Sequence, residues 1–188
     1  MKKAAFLDRD GVINIDRAYV HKIDDFEWIP GVLGAARRLR DAGFSLVVVT
    51  NQSGIGRGYY SEEDFDRLTD WMKARFAEAG APLAGVYFCP HHPEKALDKY
   101  RIDCGCRKPR PGMLLQAAED LDLDLARSVM FGDKPGDATA GKLAGCAERV
   151  ILGANGSDEP SDAPDATQRF RNLADAVESD WFTDFSRH

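Results

Sequence analysis

Two aspartates two residues apart, Asp8 and Asp10, follow the apolar run Ala4-Ala5-Phe6-Leu7 and precede Gly11. At a strand end this spacing can turn both carboxylates into one crevice. One carboxylate there can attack phosphorus, and the second can carry a proton to the leaving oxygen. Three further clusters supply what such a transfer needs. Thr50-Asn51-Gln52-Ser53-Gly54 offers a hydroxyl, amides and free backbone N–H groups suited to phosphate oxygens. Lys108, ahead of Pro109 and Pro111, offers a cation to neutralise charge on the transferred group. Gly132-Asp133-Lys134-Pro135-Gly136-Asp137 is another acidic turn, and several carboxylates together can hold Mg2+, a hard cation that favours oxygen ligands. Each cluster alone reads as a turn, a helix cap or a surface lysine. Four of them at successive strand ends point to phosphoryl transfer.

A second constellation is built from sulfur. Three of the four cysteines, Cys89, Cys104 and Cys106, lie within 18 residues, and Cys146 stands apart. Cys89-Pro90-His91, twelve intervening residues and Cys104-Gly105-Cys106 give three thiolates and an imidazole, a donor set suited to tetrahedral Zn2+. Adjacent His92 can substitute for His91, and the bland alternative is a set of reduced buried thiols. A closed four-ligand site is structural, and here it would staple the loop 89–106.

Those residues need elements to position them. Continuously apolar runs at 4–7, 44–49, 86–88, 128–131 and 149–152 read as buried strands. Between them, 31–42, 62–79, 111–121 and 135–146 carry helical spacing. Ser61 is an N-cap candidate with Asp64 three positions on, and Pro111 and Pro135 fall in first turns. Residues 155–169 read as a polar loop and 170–185 as a short helix and tail. Alternating strands and helices predict an α/β fold, a doubly wound parallel sheet with helices on both faces. Ligands then bind beyond the carboxyl ends of the strands. Few residues separate Gly11 from the helix near Gly31, so one domain over 1–188, without a separate cap domain, is expected.

The chain of 188 residues has 25 basic and 31 acidic side chains, a net charge of -6 and 44% hydrophobic residues. That balance disfavours a nucleic-acid binder. No apolar run approaches the roughly 20 residues that span a bilayer, and the start lacks the apolar core of a signal peptide. Clustered reduced thiols agree with a cytoplasmic protein. Within 99–110, Lys99, Arg101, Arg107, Lys108 and Arg110 face Asp103 alone, which supports a doubly anionic substrate. No apolar stripe is left over, so a monomer is expected.

Phe6-Leu7-Asp8-Arg9-Asp10-Gly11-Val12-Ile13-Asn14, Val49-Thr50-Asn51-Gln52-Ser53, Arg107-Lys108-Pro109 and Gly132-Asp133-Lys134 resemble, in order, the four motifs of the haloacid dehalogenase superfamily of phosphatases. The resemblance implies that Asp8 forms an aspartyl-phosphate and that Asp10 protonates the leaving group, then activates water. It implies that Thr50 and Lys108 hold the phosphoryl group. Asp8, the backbone carbonyl of Asp10, and Asp133 would bind Mg2+, with Asp137 a partner of the metal or of Lys134. The loop Cys89-Pro90-His91-His92-Pro93 with Asp103 to Met113, and the stretch Asp16 to His21, resemble the bacterial heptose bisphosphate phosphatases. This narrower resemblance implies removal of the 7-phosphate from a heptose 1,7-bisphosphate. Asp16, Arg17, Ala18, Tyr19, Asn51, Gln52 and Ser53 would line the pocket, and Arg107 would meet the other phosphate or the sugar. The related histidinol-phosphate phosphatases are the alternative, which Arg107 and Arg110 together disfavour. A receiver-type signalling domain, also with Asp, Thr and Lys at strand ends, is a distant one, because Asp10 stands ready to speed hydrolysis. Pro135-Gly136 departs from the family pattern and leaves the role of Asp137 open.

Overall fold

The computed structural model describes residues 1–157 and 159–188; Asp158, inside the polar stretch after residue 155, lies outside the described residues. Six parallel strands are ordered β3-β2-β1-β4-β5-β6, namely β1 (Ala4–Leu7), β2 (Ser45–Asn51), β3 (Leu83–Cys89), β4 (Val129–Gly132), β5 (Glu148–Leu152) and β6 (Gln168–Phe170). Order reverses between β1 and β4, and in such sheets the crevice outside the carboxyl ends of the strands on either side is where ligands sit. Asp8 follows β1 there and Asp133 follows β4. The Asp8 N–H donates to the Phe131 carbonyl at 3.0 Å, which ties the two strand ends together.

Side chains of a strand alternate between faces, so fully apolar strands feed two cores. Ala5, Leu7, Leu46, Val48, Val129 and Phe131 pack on one face with α1 (Val32–Asp41), α3 (Glu62–Glu78), α6 (Leu173–Glu178) and α7 (Asp180–Phe185). Ala4, Phe6, Val47, Val49 and Met130 pack on the other with α4 (Gly112–Leu121) and α5 (Pro135–Ala144). The expected Ser61 capping box is present: the Ser61 hydroxyl accepts from the Asp64 N–H at 3.1 Å, and Asp64 accepts from the Ser61 N–H at 3.0 Å. Pro135 opens α5 at the first helical position, which needs no N–H donor, so this departure from the family pattern suits the turn. Among the described residues, no helix is long and apolar enough to cross a membrane.

Two local expectations are corrected. The polar stretch ends in β6, whose Arg169 pairs with Ile151 of β5. A three-residue edge strand with half-exposed side chains carries no apolar run by which to read it. The C-terminal helix is two helices, because Ser179 is extended (φ -75°, ψ 158°) and its hydroxyl accepts from the Phe182 N–H at 3.3 Å, capping α7.

Candidate active site

Asp8 is 6% exposed, and its Oδ1 accepts from the Arg9 N–H at 2.8 Å and lies 3.0 Å from the Lys108 ammonium. Burial pushes its carboxyl well above the ordinary range; Lys108 pulls it down, and Asp137 and Asp133 add to the rise. Lys108 is buried as well. Its Nζ donates to the Val49 carbonyl at 2.9 Å and meets Asp137 Oδ1 at 2.7 Å. Burial disfavours the charged amine, but Asp137 and Asp8 outweigh it and hold Lys108 above its usual range. All three ammonium hydrogens therefore have acceptors.

Asp137 thus has a definite place. Its Oδ2 accepts from the backbone N–H groups of Asp133 and Lys134, each at 3.1 Å, while Oδ1 takes the Lys108 ammonium. The side-chain partner is Lys108, not Lys134. Gly132 leaves room for it, since a Cβ there would fall 2.2 Å from the Asp137 Cβ. Asp137→Ala would strand a buried ammonium with one carboxylate fewer. The expected loss is about 3 kcal/mol of unfolding free energy, read as a lower urea midpoint, and an unchanged midpoint would contradict the pairing.

Asp8, Asp133 and Asp137 bring carboxylate oxygens within 4.8 Å of one another. Asp133 Oδ1 is buried without a hydrogen-bond partner. Burial first, then the Asp137 carboxylate, pushes Asp133 up to about 6. Gly11 (φ +89°) lies so close that a Cβ would fall 2.4 Å from Asp133 Oδ2. A buried acidic pocket with an orphaned oxygen is a fitting cradle for a hard cation.

Asp10 turns its carboxylate elsewhere. Oδ1 accepts from Arg9 at 2.9 Å and from the Asn14 amide at 3.0 Å; Oδ2 accepts from the Gln52 amide at 3.1 Å. The Gln52 amide also donates to Thr50 Oγ1 at 2.9 Å, and its carbonyl accepts from the Tyr60 hydroxyl.

A cavity of about 670 Å³ opens over these groups. Asp8, Asp10, Asp16, Ala18, Tyr19, Asn51, Gln52, Ser53, Arg107 and Lys108 all line it, whereas Thr50, expected at the transferred group, is buried beside Gln52 and absent from the wall. Ala18 and Tyr19 both adopt left-handed backbone (φ 57° and 62°). Two lining residues need a refined reading. Asn51 forms a two-point clamp on the backbone of Lys108, at 3.0 and 3.1 Å, and Gln52 is fully engaged as described above. Both amides hold the machinery in place. Arg17 is a correction: it is exposed, paired with Glu27 and absent from the cavity wall. Arg110 is another, since it donates to the Cys104 carbonyl at 2.7 Å and pairs with Asp103 at 3.0 Å, bracing the loop. Tyr60 and Lys134 also line the cavity. Lys134 sat within a motif that pointed to the site, whereas nothing in the spacing marks Tyr60.

The sulfur cluster forms beside this cavity. The Cys89 Sγ lies 3.4 Å from Cys104 and 2.9 Å from Cys106, and Cys104 lies 3.2 Å from Cys106. His91 Nδ1 lies 3.8 Å from Cys89 Sγ and 3.5 Å from Cys106 Sγ. His91 is the member of the pair that joins, because His92 Nδ1 accepts from the backbone N–H groups of Glu94 and Lys95. Hydrogen bonding with Cys89 lowers the Cys106 thiol to about 5, whereas hydrogen bonding with Cys106 and burial push the Cys89 thiol well up. Four donors facing one centre fit a tetrahedral metal. Cys106 is followed directly by Arg107 and Lys108, so this cluster sets where both cations stand.

A family model described as HAD-hydrolase-like matches residues 105–179. The D-glycero-beta-D-manno-heptose-1,7-bisphosphate 7-phosphatase of Pasteurella multocida is 53% identical over 152 residues, 81% of this chain and 82% of that protein. The D-glycero-alpha-D-manno-heptose-1,7-bisphosphate 7-phosphatase of Burkholderia mallei is 51% identical over 150 residues, 80% of this chain and 79% of that protein. Among solved structures, the D,D-heptose 1,7-bisphosphate phosphatase from B. bronchiseptica, complexed with magnesium and phosphate, superposes with a TM-score of 0.83 at 33% identity, covering 97% of this chain and 99% of that one. With this identity, and with the acidic crevice at the point where strand order reverses, the chain belongs to the heptose-1,7-bisphosphate 7-phosphatases of the haloacid dehalogenase superfamily.

Proposed function

We propose that this protein removes the 7-phosphate of D-glycero-D-manno-heptose 1,7-bisphosphate through an aspartyl-phosphate on Asp8. The observation that carries this reading is the Asp8 carboxylate, held at Oδ1 by Lys108 at 3.0 Å in the floor of the cavity. Both contacts to Asp8 fall on Oδ1. Oδ2 is therefore the attacking oxygen, forming the new P–O bond as the bond to the sugar 7-oxygen breaks. Asp10 donates its proton to that departing oxygen. As a carboxylate it then takes a proton from the water that attacks phosphorus, which releases phosphate and restores Asp8. The Thr50 hydroxyl and the Lys108 ammonium steady the transferred group, and Arg107 meets the substrate's second phosphate.

Asp8, Asp133 and the backbone carbonyl of Asp10 are the residues that would hold Mg2+. When bound, the ion neutralises charge on the phosphoryl oxygens and the nucleophile. A raised carboxylate contributes stability that is present below its unfolded value and lost as pH rises through its folded one. With Asp133 near 6, the Tm of metal-free protein should fall as pH rises through about 6, and Mg2+ should restore it at pH 8. A Tm insensitive to Mg2+ at pH 8 would contradict the acidic metal site. Cys89, His91, Cys104 and Cys106 are the proposed structural Zn2+ ligands.

The deciding assay is phosphate release from both anomers of heptose 1,7-bisphosphate and from histidinol phosphate, side by side with Mg2+. Strong preference for the bisphosphate supports the reading, while preference for histidinol phosphate keeps the chemistry and overturns the substrate. Relatives named for the beta and the alpha anomer lie at similar identity, so both anomers belong in the assay.

A further inference from the structure

Tyr60 stands away from the reacting groups, buried at 6% exposure at the end of a chain of hydrogen bonds. Its hydroxyl meets Gln52 Oε1; Gln52 Nε2 meets Asp10 Oδ2 at 3.1 Å and Thr50 Oγ1 at 2.9 Å. The chemistry of the donors fixes the direction of every link. An ionised Asp10 only accepts, so it must face the amide nitrogen of Gln52. The amide oxygen then faces Tyr60, and the phenol must donate. Burial, reinforced by the Asp10 carboxylate, pushes Tyr60 well above its ordinary range and keeps that proton in place. The His21 ring stacks on Tyr60 at 4.7 Å and an interplanar angle of 5°, which fixes the phenol plane.

One consequence reaches the reacting atoms. Asp10 Oδ1 accepts from both Arg9 and Asn14, whereas Oδ2 accepts from Gln52 alone. A carboxylate oxygen has two lone pairs, so Oδ2 is the oxygen left with one free to carry a proton.

We propose that Tyr60 is a positioning residue that, through the Gln52 amide, aims Oδ2 of Asp10 at the leaving oxygen. The inference rests on Asp10 being the acid, as argued under the proposed function. Without the phenol, the Gln52 amide can rotate, and its donor leaves Asp10 Oδ2.

The test uses Tyr60→Phe, which keeps the ring, its packing and its stack on His21. The readout is kcat/KM, which ends at departure of the leaving group and so excludes the later hydrolysis of the aspartyl-phosphate. An alkoxide leaving group needs a proton, whereas p-nitrophenolate leaves without one. The variant should lose about 10-fold on a sugar phosphate and less than about 2-fold on p-nitrophenyl phosphate. Gln52→Met, which fills similar space without the amide, should lose more on the sugar phosphate, and adding Tyr60→Phe to it should cost nothing further. Equal losses on both substrates, no loss, or additive losses in the double variant would each overturn the proposal. Asp10→Asn separates the two levels. If its loss depends on the leaving group while that of Tyr60→Phe does not, the positioning role fails alone. If Asp10→Asn shows no such dependence, the assignment of Asp10 as acid fails first.

Discussion

Asp8→Asn should reduce phosphate release by at least about 10⁴-fold, the scale on which removing a covalent nucleophile acts, with the fold intact. Asparagine keeps the shape of the side chain and can still accept at Oδ1 from the Arg9 N–H and from Lys108. Lys108 retains Asp137 at 2.7 Å and the Val49 carbonyl at 2.9 Å, so no buried ammonium is left without acceptors. The substitution also removes one of three crowded carboxylates, and burial disfavours the charged forms of Asp8 and Asp133. Metal-free Asp8→Asn protein should therefore unfold at a Tm no lower than that of the parent. Only the attacking oxygen is lost. The check pairs steady-state phosphate release with the thermal midpoint and with trapping of labelled phosphate on the protein. Retained turnover, or label on the variant, would remove Asp8 from the role of nucleophile.

Cys106→Ser should empty the sulfur cluster and damage both stability and catalysis. A serine hydroxyl is a poor Zn2+ ligand, and three remaining donors do not close a tetrahedron. The loop 89–106 has few buried apolar side chains of its own; Ala96 and Cys89 are its fully buried ones besides Pro90. Its conformation depends on what joins Cys89, at the end of β3, to the turn at 104–106. The expected cost is about 3 kcal/mol or more, or a Tm fall of about 10 °C for a chain of this size. Activity should fall with it, because Arg107 and Lys108 follow Cys106 directly. Measured zinc should drop by about one equivalent, and no zinc in the parent would end the metal assignment.

The alternation of apolar runs and helical spacing determined a parallel α/β sheet from the sequence alone, because strands covered on both faces leave continuous hydrophobic runs. The same runs end in the polar clusters, which is why Asp8, Asp10, Thr50, Lys108 and Asp133 were legible as a site. The cluster of Cys89, Cys104 and Cys106 with a histidine was legible from spacing, but the choice of His91 over His92 was not. That choice came from which imidazole faces the thiols and which caps a turn.

What only the tertiary structure decided is how each polar side chain spends its hydrogen bonds. Asn51 and Gln52 lie in the predicted pocket, yet Asn51 clamps a backbone 57 residues away and Gln52 is shared among Asp10, Thr50 and Tyr60. Arg17, placed at the pocket by resemblance, and Arg110, counted toward substrate from charge, find acidic partners on the surface instead. Asp137, in the first turn of α5, takes Lys108 ahead of α4, a pairing that no local spacing encodes. Burial of an apolar run follows from its own composition. The partner of a polar group depends on which distant segment the fold brings within 3 Å, and a buried donor or acceptor must find one.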